Sequence, residues 1–166
     1  MNKALRTGVR VGGVFTIICY GSGGQERWAD RCPNLVTNGG LNYFLDVAIA
    51  GSAQTATWYA GLAGADPVPA AGDTLASHAG WTEVTNYTGD RQEYVDVRTD
   101  QTVSNTASKA AFPISTAGTV GGAFLAASAT ASTGTVLCAA ALTASNRSVI
   151  DGDTISLTYT LTAADA

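Results

Sequence analysis

The stretch GDTLASHAGWTE, residues 72–83, holds the one histidine of the chain, His78, directly after Ser77 and a few positions from Asp73 and Glu83. Histidine is the side chain whose ordinary pKa lets it work as a base near neutral pH, so a hydrolase in this chain would have to be built on His78. Ser77 is its immediate neighbour, and neighbouring side chains on an extended chain point apart, whereas a triad needs its members to converge. The Gly-Ser-Gly-Gly run at 21–24 lies between two strand-like segments, without the strand-to-helix turn that a nucleophile elbow requires. Carboxylate pairs such as Glu83 with Asp96, or Glu93 with Asp100, have the chemistry of a glycosidase, but nothing in the sequence singles them out. Asp151 and Asp153 open like a calcium loop, yet Thr162 stands where the bidentate glutamate belongs. A DGD turn entering a strand accounts for them. No catalytic residue is expected, and the protein is not expected to be an enzyme.

The other chemistry-bearing residues point the same way. Cys19, Cys32 and Cys138 lie at no metal-ligand spacing, and one histidine cannot complete a zinc set with them. Cys19 in VFTIICY and Cys138 in VLCAAAL read as buried, inert thiols. Trp58, Tyr59, Trp81, Tyr87 and Tyr94 could form a sugar-stacking platform, although core and loop-anchoring roles are the commoner fate of such rings. NGG at 38–40 and GGQ at 23–25 are turn glycines without a phosphate-cradling context. No cofactor, metal or small-molecule substrate is expected. The net charge of −4, with nine Lys and Arg scattered singly, supplies no basic stripe for nucleic acid. No apolar run reaches the roughly 20 residues of a membrane span, and MNKALRTGVRVGG lacks the apolar core of a signal peptide. A chain that is cytoplasmic when made is the expectation.

Several elements must position these residues. With 166 residues, 46% of them hydrophobic, the chain suits one domain, 1–166. Ala (29), Thr (22) and Gly (19) dominate, and only 13% of residues are charged, a low value suggesting that neighbours in an assembly cover part of the surface. GVFTIICYGSGGQERWADRC reads as an N-terminal β-hairpin. If Tyr20 pairs with Gln25, Cys32 falls opposite Gly13 and the thiols of Cys19 and Cys32 do not meet. In the next segment Leu41, Phe44, Leu45, Ala48 and Ile49 recur at helical spacing. They predict an α-helix near 38–50 that lays this face on the core, with Thr37 or Asn38 as N-cap and Gly51 as its stop. TWYAGLAG is a short strand, ADPVPAAGD a long loop, and WTEVTNY and RQEYVDVRTD two further strands, the latter with Tyr94, Val95 and Val97 as apolar content. VSNTASKAAFPIS, GTVGGAFLAAS, GTVLCAAAL and DTISLTYTLT complete the set; in the last, Ile155, Leu157, Tyr159 and Leu161 alternate with Thr and Ser. About eight strands and one helix predict an all-β protein, an antiparallel β-sandwich or jelly roll, with 1–12 as a candidate extended N-terminal arm.

The ordered blocks NLVTNGGLNYFLD, TWYAGL and SHAGWTE, followed by the GDTISLTYTLT strand, resemble a family of small virion structural proteins of tailed bacteriophages. The resemblance runs from about Gly12 to the C-terminus. It implies a capsid cement or decoration protein of jelly-roll fold that binds the outside of the major capsid protein shell and stabilises the head. The nearest alternative it implies is a tail, baseplate or fibre component; a carbohydrate-binding module using Trp58 and Trp81 is more distant. The implied partners are the major capsid protein and other copies of the chain, as dimer or trimer. The implied location is the capsid surface, with assembly in the host cytoplasm. Contact residues are then expected in segments that the sandwich does not need. These are Arg6 and Arg10 in the arm, Gln25 and Arg27 at the hairpin tip, and Pro67 and Pro69 in the loop from Asp66 to Gly80. Leu75 and Trp81 are expected to anchor that loop to the core.

Overall fold

A computed structural model describes residues 8–165, and among them every paired strand is antiparallel. The first sheet is built around two long strands, β1 (Val9–Tyr20) and, at the far end of the chain, β13 (Thr154–Asp165). They pair along their whole length, from Val9 opposite Asp165 to Tyr20 opposite Thr154. The alternation of Ile155, Leu157 and Tyr159 with Ser and Thr places these three fully inside. There they face Cys19, Ile17 and Phe15 across the ladder, and the rings of Phe15 and Tyr159 stack at 4.4 Å. β2 (Glu26–Pro33) flanks β1, while β7 (Thr102–Ser104) and β8 (Ala110–Pro113) share the other side of β13, and β6 (Val97–Thr99) closes the edge.

The second sheet has the order β3 (Leu35–Val36), β11 (Val136–Ala141), β10 (Gly122–Ala126), β4 (Tyr59–Ala63), β5 (Gln92–Glu93). Phe15, Ile17, Leu157 and Tyr159 of the first sheet share one core cluster with Leu62, Leu125 and Cys138 of the second. β10 is buried at every position. A strand covered on both faces has no reason to alternate, which is why GAFLA and VLCAAA read as unbroken small apolar runs. The outer cover contains Leu75 and Trp81 from the loop at 66–83, packed with Phe124, Ala126 and Ala139 in a second cluster. The anchoring expected of Leu75 and Trp81 is therefore found.

Several expectations need correction. Among the described residues there are thirteen strands, most of them short, where about eight were expected. GTVGGAFLAAS breaks at Gly121 into β9 (Gly118–Val120), which pairs with β12 (Arg147–Val149), and β10 in the second sheet. A Cβ at Gly121 would lie 2.2 Å from the Gly64 carbonyl oxygen, so the crossing between the sheets needs glycine at that point. RQEYVDVRTD likewise splits between the sheets, with Tyr94 buried but Val95 and Val97 exposed, and WTEVTNY forms isolated bridges rather than a strand. The candidate arm is a strand from Val9 onward; residues 1–7, and with them Arg6, lie outside the described residues.

The hairpin register also differs. Tyr20 pairs with Glu26 and Cys19 with Trp28, leaving Arg27 as the extra residue of a bulge. Cys32 therefore falls opposite Phe15, not Gly13. Four positions along β1 separate Cys19 from Phe15, the partner of Cys32, about 13 Å in a strand, which is too far for a disulfide. All three thiols are free and buried. Loss of water raises their pKa first, with nearby carboxylates adding to the rise at Cys19 and Cys32: to about 11 for Cys19 and about 12 for Cys32 and Cys138. A thiol-specific colorimetric reagent at pH 8 should find no reactive thiol in the native protein and all three after unfolding. One fast-reacting thiol in the native state would show that its strand opens.

Asp30 sits at the centre of β2, buried, and forms no ion pair among the described residues. Burial raises its pKa, but the Thr143 hydroxyl (2.6 Å) and the Ala144 and Thr143 N–H groups outweigh that and hold its carboxyl below its ordinary 3.8. A depressed pKa contributes stability above the ordinary aspartate range, and this is lost as pH falls through the folded value. Asp30→Asn should therefore cost about 1–3 kcal/mol at neutral pH. Its difference from the parent should narrow in urea titrations repeated towards pH 2–3, as the parent carboxylate protonates. A gap independent of pH would refute this account.

Candidate functional site

The loop around His78 is organised on Trp81. Trp81 Nε1 donates to Asp73 Oδ2 at 2.8 Å, and the same oxygen accepts the Ala70 N–H at 2.9 Å, so Asp73 ties the loop to itself. His78 stacks on the Trp81 indole at 3.9 Å, with Nδ1 3.0 Å from the Trp81 carbonyl oxygen. The Ser77 N–H donates to Thr74 Oγ1. Asp73 and His78 both meet Trp81, and among the described residues no hydrogen bond links the Ser77 hydroxyl, the His78 ring and the Asp73 carboxylate. Glu83 is gripped by Arg91 through two bonds of 2.7 Å, and Asp153 takes the Ile150 N–H and Arg27. The aromatic platform is also absent as drawn: Trp81 is 5% exposed, while Trp58 packs edge-on against Tyr43. Among the described residues no group of three or more His, Cys, Asp or Glu could hold a metal ion. No helix of the described residues is long and apolar enough to cross a membrane.

What the surface does present begins at the helix. α1 (Asn38–Ala48) starts where Thr37 Oγ1 accepts the Gly40 N–H at 2.9 Å, and the same hydroxyl donates to the Val136 carbonyl, fixing the first turn on β11. Gly40 is the closest contact: a Cβ there would lie 2.2 Å from the Leu137 carbonyl oxygen. From that point geometry decides which side faces inward. Tyr43, Phe44 and Val47 follow Gly40 at helical spacing and are half-buried; Tyr43 packs on Trp58 and its hydroxyl accepts the Thr55 N–H. Leu41, Leu45 and Ile49 lie on the adjoining stripe and stay 44%, 63% and 82% exposed. The expected core face was thus the wrong one, apart from Phe44. The helix carries two apolar stripes, and Gly40 selects which of them docks, because the bulkier Leu41 cannot approach a backbone so closely.

The residues expected to touch a partner are dispersed. Gln25 is exposed at the hairpin tip, its side chain folded over Gly21 and Gly23. Arg27, re-aimed by the bulge, forms an ion pair with the buried Asp153 and holds the hairpin on the DGD turn, so it is an internal fastener. Pro67 is buried against Gly121 and Gly122, and Pro69 is half-buried. Arg10 is exposed on the outer face of β1. The exposed stripe of α1 was missed because periodicity shows that a face is apolar, not which of two apolar faces is covered. The signal that could have found it was the NGG at 38–40, a place for close approach at one angular position of the helix.

No protein-family model matches the chain, and no curated protein matches it.

Proposed function

We propose that the protein is a virion structural protein, a cement or decoration protein that binds the outside of a tailed-phage capsid shell and stabilises the head. In this reading the two antiparallel sheets are the layers of a jelly-roll-type sandwich. Its partners are the major capsid protein and further copies of the chain. The resemblance of the ordered blocks suggests the class, and one observation carries the step to binding: Leu41, Leu45 and Ile49 are exposed together on one stripe of a helix. Three large apolar side chains grouped on one face mark an interaction surface more often than a bare exterior. Many symmetric copies would add weak contacts of this kind into firm attachment, opposing separation of capsomers under pressure from packaged DNA.

The test is addition of purified protein to heads that lack it. Leu45→Asp and Ile49→Asp change exposed side chains and should leave stability within about 0.5 kcal/mol of the parent. Each should lower head occupancy tenfold or more, as loss of an interface anchor does. Normal occupancy by both variants would refute the stripe as the contact. Density for only a few copies per virion, located on the tail, would refute the capsid assignment in favour of a tail component.

A further inference from the structure

The outer face of the first sheet carries a half-open hollow of about 490 Å³ where β1 crosses Gly12. A Cβ at Gly12 would meet nothing within 4 Å, so the hollow is open above this position. Val14 and Pro33 contribute apolar lining, Thr160 and Thr162 contribute hydroxyls, and Arg10 and Arg31 stand among the same lining residues. Arg27 and Arg91 each meet a carboxylate; Arg10 and Arg31 meet none among the described residues. Arg31 pairs with Thr16, six positions along β1 from Arg10, which puts the two backbone positions about 20 Å apart.

We propose that this hollow binds an extended acidic segment of a partner protein, with one carboxylate at Arg10, a second at Arg31 and the intervening backbone over Gly12. Two carboxylates four residues apart in an extended chain are separated by about 13 Å, a span that long side chains leaning in from about 20 Å can close on. Charge complementarity selects the occupant. Arginine forms forked bonds to carboxylates, and the apolar lining between the two guanidiniums suits a peptide rather than a small ion, which could reach only one of them. A nucleic-acid backbone would need a run of cations, whereas the nine Lys and Arg of the chain are scattered singly. This inference goes beyond the capsid reading and survives its failure, because it names a ligand chemistry rather than a location.

The test is a titration of the isotope-labelled full chain, at low ionic strength, with a capped hexapeptide carrying aspartate at its first and fifth positions and threonine elsewhere. The same peptide with asparagine in place of aspartate is the control. The aspartate peptide should shift the amide signals of Gly12, Gly13 and Thr162, and the asparagine peptide should not. Arg10→Gln and Arg31→Gln should each weaken binding about fivefold or more, as expected for loss of one charged contact. Gly12→Leu, whose side chain enters open space, should melt like the parent and abolish binding. The proposal fails if neither peptide binds at about 10 mM, the weak limit of specific recognition. It also fails if the two peptides bind equally, if the arginine variants bind like the parent, or if inorganic phosphate or a thymidine hexanucleotide binds more tightly than the aspartate peptide.

Discussion

Arg91→Met should lower the unfolding free energy by about 3–5 kcal/mol, the range seen when one member of a buried ion pair is removed. The side chain is 8% exposed, and four of its five N–H groups have an acceptor. Nε and Nη2 donate to the two Glu83 oxygens at 2.7 Å, and Nη1 donates to the carbonyls of Ser128 and Ala131 at 2.9 Å. Its Cζ lies over the Phe124 ring, 5.6 Å from the centroid. Methionine replaces the volume but leaves a half-buried carboxylate and two carbonyl oxygens without their donor. Urea unfolding followed by circular dichroism should show a lower midpoint at unchanged slope. A midpoint equal to the parent's would mean that water satisfies these groups and that Arg91 is a surface residue in solution.

Phe124→Ala should cost a similar 3–5 kcal/mol, for a different reason. Phe124 is fully buried, packs at 4.7 Å on Trp81, and covers Gly61 on the neighbouring strand so closely that a Cβ there would lie 2.3 Å from the ring. Truncation opens a cavity that a glycine backbone cannot fill. Because Arg91 rests on the same ring, the Arg91→Met, Phe124→Ala double variant should lose less than the sum of the singles, by at least about 0.5 kcal/mol. Strict additivity would show that the guanidinium and the ring do not communicate. Both variants should also loosen the cover formed by Trp81 and Leu75, detectable as faster amide exchange in β10.

What local sequence could show is set by the range of the interactions involved. The strand β13 was legible because its alternation faces solvent on one side only, and the start of α1 because Thr37 caps it within three residues. The hairpin was legible, but not its register, since a single extra residue at Arg27 moves every later pair. The second sheet's internal strands gave no alternation because both of their faces are covered. Arg91 gave no signal at all. It stands in a polar turn, TGDRQE, and two of its partners, Ser128 and Ala131, are 37 and 40 positions away. Of the surface residues expected to matter, Arg10 meets no carboxylate among the described residues, whereas Arg27 and Pro67 are used within the molecule. Arg31, on the partner strand, could be grouped with Arg10 only once the register of β2 was known.

The twelve-position ladder between β1 and β13 also gives the molecule a direction of mechanical weakness. Val9 lies beside Asp165, so a pull on the two ends of the ladder's strands at that side peels the pairs apart one after another, each break loading only the next. A pull between Val9 and the turn at 151–153 would instead drag the strands past each other with all twelve positions resisting together. The Arg27–Asp153 ion pair would hold that turn to the hairpin. Where force enters this protein therefore decides whether it opens like a zip or holds like a lap joint.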